Sequence, residues 1–186
     1  MNKSNTFISN DVVLKDCEYI LNHLNFKKLK KSKILILGGN SFIASYLQAI
    51  LVLLKCEITS ISLNNPKGLL KSILDKNRIK FLKMDLTNKK KVDKILKKRF
   101  NFIFHCATYG QPKKWKGNED KTIKLNIDLL RQVLDHSVRY KSKVLYLSSA
   151  AVYKIPNKYS KIEETSDLEV GKFPGEIIYA NSKIMG

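Results

Sequence analysis

Ile34-Leu35-Ile36-Leu37-Gly38-Gly39-Asn40-Ser41-Phe42-Ile43-Ala44 decides the fold. Four consecutive aliphatic side chains mark a strand buried on both faces, which is the habit of a parallel sheet. Two glycines then end it. Gly38 can take backbone angles closed to other residues, and a helical apolar pattern follows over residues 42–54. Strand, glycine turn and helix in that order open a βαβ unit. The unpaired N–H groups and positive dipole end of such a helix suit a pyrophosphate.

The alternation continues outward from this unit. A β-rich stretch over residues 58–63 stops at Asn64-Asn65-Pro66, and a short helix is expected over residues 68–74. Strands are predicted over residues 79–82 and 102–105, with a helix over residues 89–98 between them. One long amphipathic helix is predicted over residues 122–140, with Ile123, Ile127, Leu130, Val133 and Leu134 on its inner face. Residues 144–147 make a fifth strand. The fold class is therefore α/β, a doubly wound parallel sheet of right-handed units that binds ligands at its carboxyl edge.

Upstream, Val13, Cys17, Ile20, Leu21 and Leu24 keep helical spacing behind a loose ten-residue leader, with Ser9, Asn10 and Asp11 as capping candidates. The chain thus divides into an N-terminal extension with one helix, residues 1–31, and a dinucleotide-binding domain, residues 32–186.

Composition narrows the function classes. A length of 186 residues suits one domain with a real core. No apolar run is long enough for membrane insertion, and the first residues lead into no export signal. Cys17, Cys56 and Cys106 are scattered without metal-ligand spacing, so they read as reduced thiols of a cytoplasmic protein, with no metal site. The net charge of +19 comes from 31 lysines among 35 basic residues. Lysine reads bases poorly compared with arginine, so the charge is read as surface composition, with no dedicated nucleic-acid partner.

About twenty residues past the glycine turn, a carboxylate would hold a cofactor ribose. Asn64 takes that place, and Lys67 is near enough in sequence to attract a 2′-phosphate, so NAD and NADP both stay open. Asp85 follows the third strand, either as an adenine contact or as a cap for the next helix.

Tyr179-Ala180-Asn181-Ser182-Lys183 places a phenol and an ammonium one helical turn apart. The ammonium favours the phenolate, which lets Tyr179 exchange a proton with a substrate hydroxyl. Tyr-x-x-x-Lys alone is weak evidence, since Tyr109 and Lys113 repeat the spacing, though Gly110 and Pro112 argue against a helix there. Ser149 follows the fifth strand, where its hydroxyl could bond the same substrate oxygen. Serine, tyrosine and lysine in this order, behind the glycine turn, make a specific combination.

With these pieces in place, the chain resembles the extended short-chain dehydrogenase/reductases, the NAD-dependent epimerase/dehydratase family of nucleotide-sugar enzymes. The resemblance runs over residues 30–186. It rests on the stretch from Ile34 to Leu47, on Phe104-His105-Cys106-Ala107, on Leu125-Asn126-Ile127, on Leu145 to Tyr153 and on Tyr179 to Lys183. It implies a Rossmann-like domain, NAD as cofactor with NADP also admitted, and a nucleotide-sugar substrate. The implied reaction is hydride transfer at a sugar hydroxyl or ketone, by an epimerase or a reductase, and the full-length enzyme would be a homodimer.

By the same resemblance Gly38, Gly39, Ser41, Phe42 and Ile43 meet the cofactor phosphates, and Asn64 the ribose. Asp85 and Leu86 meet the adenine, Cys106 and Ala107 line the cofactor ribose, and Asn126 orders the site. Tyr109 and Gln111 border the sugar. Ser149, Tyr179 and Lys183 are catalytic, the last two also touching the cofactor.

Three departures stand out. Ser41 and Ala44 replace the second and third glycines of the family turn, and the Ser41 Cβ sits where a pyrophosphate should approach. Ala150 and Ala151 follow Ser149 where dehydrating and decarboxylating relatives carry an acid. The family's C-terminal substrate lobe is also missing, so the chain reads as a fragment of a longer enzyme, with Lys183 expected to be loosely held near a fraying helix end. Two alternatives remain: a dinucleotide-binding module without catalysis, and, less favoured, a nucleic-acid-binding protein on the same fold.

Overall fold

A computed structural model describes residues 11–73, 78–153, 161–168 and 174–186. Its strands are β1 (Lys33–Leu37), β2 (Glu57–Ser62), β3 (Ile79–Lys83), β4 (Phe102–His105) and β5 (Lys143–Tyr146). Its helices are α1 (Asp11–His23), α2 (Phe42–Leu53), α3 (Leu69–Ile73), α4 (Lys89–Leu96), α5 (Glu119–Ile123), α6 (Leu129–Tyr140) and α7 (Pro174–Ile184). The strands pair in the order β3-β2-β1-β4-β5, and every pairing is parallel. Strand order reverses between β1 and β4, so a crevice opens at their carboxyl ends.

β1 shows why an unbroken apolar run was needed. Ile34 and Ile36 join one core with α1, α2 and α3, while Leu35 and Leu37 join a second core with α4 and α6. Ile34, Leu35 and Ile36 have no exposed surface, and each contributes roughly 1.5–3 kcal/mol by its burial. β5 lies at the edge of the sheet, and none of its residues is fully buried.

The doubly wound Rossmann-like sheet and the expected elements are present, with ends moved by a residue or two. α1 adds Val13 and Cys17 to the core. The leader with its capping candidates Ser9 and Asn10, and Leu74 at the end of the short helix, lie outside the described residues.

One expectation is corrected. The helix predicted over residues 122–140 begins at Glu119 and is interrupted by a π-turn over Lys124–Asp128. A π-turn carries an extra residue, so the inward face beyond it advances along the sequence. Leu125, Leu129, Val133 and His136 are buried, whereas Leu134, expected inside, is 47% exposed. Among the described residues no helix is long and apolar enough to cross a membrane.

Candidate functional site

The crevice at the carboxyl edge is a cleft of about 690 Å³, within the usual range for a small-molecule site. It runs from the ends of β2 and β3, past the glycine turn, to Tyr179 on α7. A smaller hollow of about 460 Å³ beside α1 is lined by leucines, Phe26, Asn25 and two lysines, and holds no carboxylate or nucleophile.

The glycine turn is built by close packing. Gly38 has φ +86°, and a Cβ there would stand 2.7 Å from the Ala107 backbone and 2.8 Å from that of Cys106. A Cβ on Gly39 would collide with the Ser60 hydroxyl. Both glycine N–H groups donate to Ile61 O, at 2.9 and 3.0 Å. The buried Gln48, unnoticed in the sequence, donates to Gly39 O and Ala44 O at 2.9 Å each. A glutamine inside an otherwise apolar helix face was the available signal.

Ser41 lines the cleft and caps α2, its hydroxyl accepting the Ala44 N–H at 3.3 Å, with φ −71°, an angle open to any residue. Serine in place of glycine therefore imposes no backbone strain and supplies a helix cap. Phe42 and Ile43, both exposed and on the cleft wall, form the first turn of the helix. The N–H groups of Asn40, Phe42 and Ile43 make no hydrogen bond among the described residues. An exposed helix start of this kind suits an anion.

At the ends of β2 and β3, Asn64, Asp85 and Leu86 line the cleft. Asp85 Oδ1 accepts the Thr87 N–H and hydroxyl at 2.9 and 2.8 Å, and Asn88 rather than Asp85 caps α4. Past β4, Cys106, Ala107, Tyr109 and Gln111 line it as well, the Cys106 thiol pushed up to about 11 by burial. Thr108, on the same wall, has a buried hydroxyl with no partner among the described residues.

Tyr179 closes the far end and is 5% exposed. Trp115, the single tryptophan, stacks on its ring with centroids 4.9 Å apart and planes 18° from parallel. Lys183 does not line the cleft. Its ammonium donates to Leu147 O at 2.6 Å and sits 4.1 Å above the Tyr146 ring. Burial pushes its pKa down to about 8. The expectation of a loosely held lysine is thus corrected: Lys183 is 3% exposed because the end of β5 receives it.

Asn126 lies beneath the cleft in the π-turn, fully buried, donating to the Ser182 hydroxyl at 2.8 Å while its carbonyl accepts from Tyr146 at 3.4 Å. Ser149 accepts the Ala151 N–H at 3.2 Å and is not on the cleft wall, whereas Ser148 is. Behind them His105 is fully buried, its Nε2 donating to Leu125 O at 2.9 Å. Burial and then the Lys183 charge push its pKa down to about 4. Sequence reasoning missed Asn40, Trp115 and His105. Only the rarity of tryptophan could have marked one of them.

The fold has counterparts among known proteins. The profile of the NAD dependent epimerase/dehydratase family matches residues 34–186. The chain is 28% identical over 191 residues to the bifunctional polymyxin resistance protein ArnA of Wigglesworthia glossinidia brevipalpis, covering 98% of this chain and 28% of that protein. Among solved structures, the epimerase Mth375 of Methanothermobacter thermautotrophicus superposes with a TM-score of 0.71 at 19% identity, over 86% of this chain and 46% of its own. A UDP-glucose-4-epimerase of Stenotrophomonas maltophila, with bound NAD and formylated UDP-arabinopyranose, gives 0.65 at 16% identity, over 82% of this chain and 46% of its own. The chain spans less than half the length of these relatives.

Proposed function

From the chain's membership of the NAD dependent epimerase/dehydratase family, we propose that it binds a nicotinamide dinucleotide in the cleft and interconverts alcohol and ketone on the sugar of a nucleotide-sugar, as an epimerase or a reductase. The observation that carries this reading is Tyr179, a phenol on the cleft wall at the opposite end from an open helix N-terminus. The nucleotide-sugar class comes from relatives such as the Stenotrophomonas enzyme.

The dinucleotide, when bound, supplies the hydride acceptor and donor. Asn40, Phe42 and Ile43 offer backbone N–H groups and the dipole of α2 to its diphosphate. Asp85 and Leu86 hold the adenine end, Asn64 the ribose, and Cys106 and Ala107 wall the middle. Tyr109 and Gln111 face the sugar.

Tyr179 takes the proton of the substrate hydroxyl as it becomes a ketone and returns it in reverse. Lys183 stands one turn along α7 from Tyr179, its ammonium held by Leu147 O at 2.6 Å. With its pKa near 8 it stays mostly charged at neutral pH. Ser149 orients the substrate oxygen, its hydroxyl hydrogen being free to donate while its oxygen caps Ala151. Ala150 and Ala151 supply no acid or base, so neither dehydration nor decarboxylation is supported at this turn.

The test is Tyr179→Phe. Turnover on UDP-sugars should fall by roughly 10²–10⁴ while dinucleotide affinity stays within about threefold. Retained turnover would remove Tyr179 from the chemistry. A second reading, a dinucleotide-binding module without catalysis, draws support from Ser149 lying off the cleft wall. Dinucleotide binding with no hydride exchange on any UDP-sugar would favour it.

A further inference from the structure

The cleft wall at the end of β2 has an unusual charge for a site that would hold an unmodified ribose. The position a carboxylate would take to bind the 2′-hydroxyl carries Asn64. Lys67 stands on the same wall, exposed, with no ionic partner among the described residues. The sequence places both residues near each other, and the structure shows what keeps them there.

Asn40, in the glycine turn, reaches across to this loop. Its Nδ2 donates to Asn64 O and Asn65 O at 2.9 Å each, and its Oδ1 accepts the Lys67 N–H at 3.4 Å. All three bonds go to the loop's backbone, which leaves the Asn64 and Lys67 side chains uncommitted. One side chain thus ties the glycine turn to the loop that carries the only cation lining this end of the cleft among the described residues. Lys114, the other lining lysine, follows β4. Asp85, the carboxylate on the wall, sits at the end of β3 with one oxygen held by Thr87.

We propose, resting on the dinucleotide-binding reading above, that the chain selects the 2′-phosphorylated dinucleotide, with Lys67 as the phosphate-binding cation and Asn40 as the positioning residue that keeps it on the wall. A carboxylate at position 64 would repel a phosphate dianion, whereas an amide bonds either a hydroxyl or a phosphate oxygen. Lysine serves as a point charge and needs no bidentate geometry.

Calorimetric titration of the chain with NADP+ and NAD+ at fixed ionic strength, and with 2′,5′-ADP against 5′-AMP, isolates the added phosphate. The expected result is at least tenfold tighter binding of NADP+ than of NAD+, with a similar gain for 2′,5′-ADP. Lys67→Gln should bring the NADP+/NAD+ preference to within about threefold of unity and leave NAD+ within twofold. Asn40→Ala should lower the preference as well. Asn64→Asp should reverse it, and an unfolding or loosened loop cannot weaken one dinucleotide while favouring the other. NAD+ binding as tightly as NADP+ overturns the proposal and leaves the dinucleotide reading intact. Failure of both dinucleotides to bind overturns the two together.

Discussion

The two ends of the cleft are built differently. At the β1–α2 end the wall is backbone: Gly38 fits under Ala107 because it lacks a Cβ, and the turn's N–H groups bond Ile61 O across one strand pair. At the α7 end the wall is Tyr179, braced from behind by side chains drawn from distant segments. Trp115 stacks on Tyr179, Tyr146 lies beneath Lys183, and Asn126 grips Ser182. A backbone wall follows from a short motif and tolerates most changes except an added atom. A side-chain wall exists only once four segments have packed, and each contact can be removed separately.

The sharpest way to break the first end is Gly38→Ala. A positive φ and a Cβ 2.7 Å from backbone cost together about 3 kcal/mol or more, because neither Ala107 nor Cys106 can step aside without moving β4. Thermal unfolding should drop by roughly 6–12 °C. A drop of a degree or two would mean the close approach is not a constraint.

At the other end Trp115→Ala removes the plane that holds the Tyr179 ring. An aromatic stack of this kind is worth about 1 kcal/mol beyond its buried area. On the proposed reading, turnover of a nucleotide-sugar should fall about fivefold while dinucleotide affinity changes little. Equal losses in both would show that Trp115 supports the whole cleft rather than the phenol.

His105 lies under the α7 end, and its pKa, about 4 when folded against 6.5 for the free side chain, gives that end a pH signature. Between these values the unfolded chain binds the extra proton, so stability rises with pH across this window and is lost as pH falls from about 6.5 toward 4. The slope should reach at most about 1.4 kcal/mol per pH unit. In denaturant titrations over that range His105→Asn should flatten it, and an unchanged slope would assign the effect to other groups.

A smaller effect than at Gly38 is expected from Ser182→Ala, which strands the Asn126 amide at a cost of about 1–2 kcal/mol. Hydrogen exchange should show α7 loosening while the glycine turn keeps its protection. Loosening at both ends would erase the contrast between them.

Much of the fold was legible because its signals are local. The β1 run, the glycine pair and the alternation of strand and helix each follow from neighbours in sequence, and the parallel order follows from covering both faces of the sheet. The site was legible where it rests on a motif: the glycine turn, Cys106-Ala107 and Tyr179 all line the cleft. The π-turn was not legible, because its extra residue is stabilised by Ser182 and Tyr146, which lie 56 and 20 positions away. The same holds for Asn40, whose partners lie 24 to 27 positions on.

By itself, then, the sequence determined the α/β class, the turn at Gly38, the helical pairing of Tyr179 with Lys183 and the family resemblance, since each depends on residue type and spacing along the chain. Tertiary structure alone decided that Lys183 is seated on Leu147 O and the Tyr146 ring, that Ser149 caps a turn, and that Asn40 ties Lys67 to the cleft wall. Those outcomes depend on which strand ends meet at the crevice. Spacing within one segment cannot encode a hydrogen bond whose other half belongs to another.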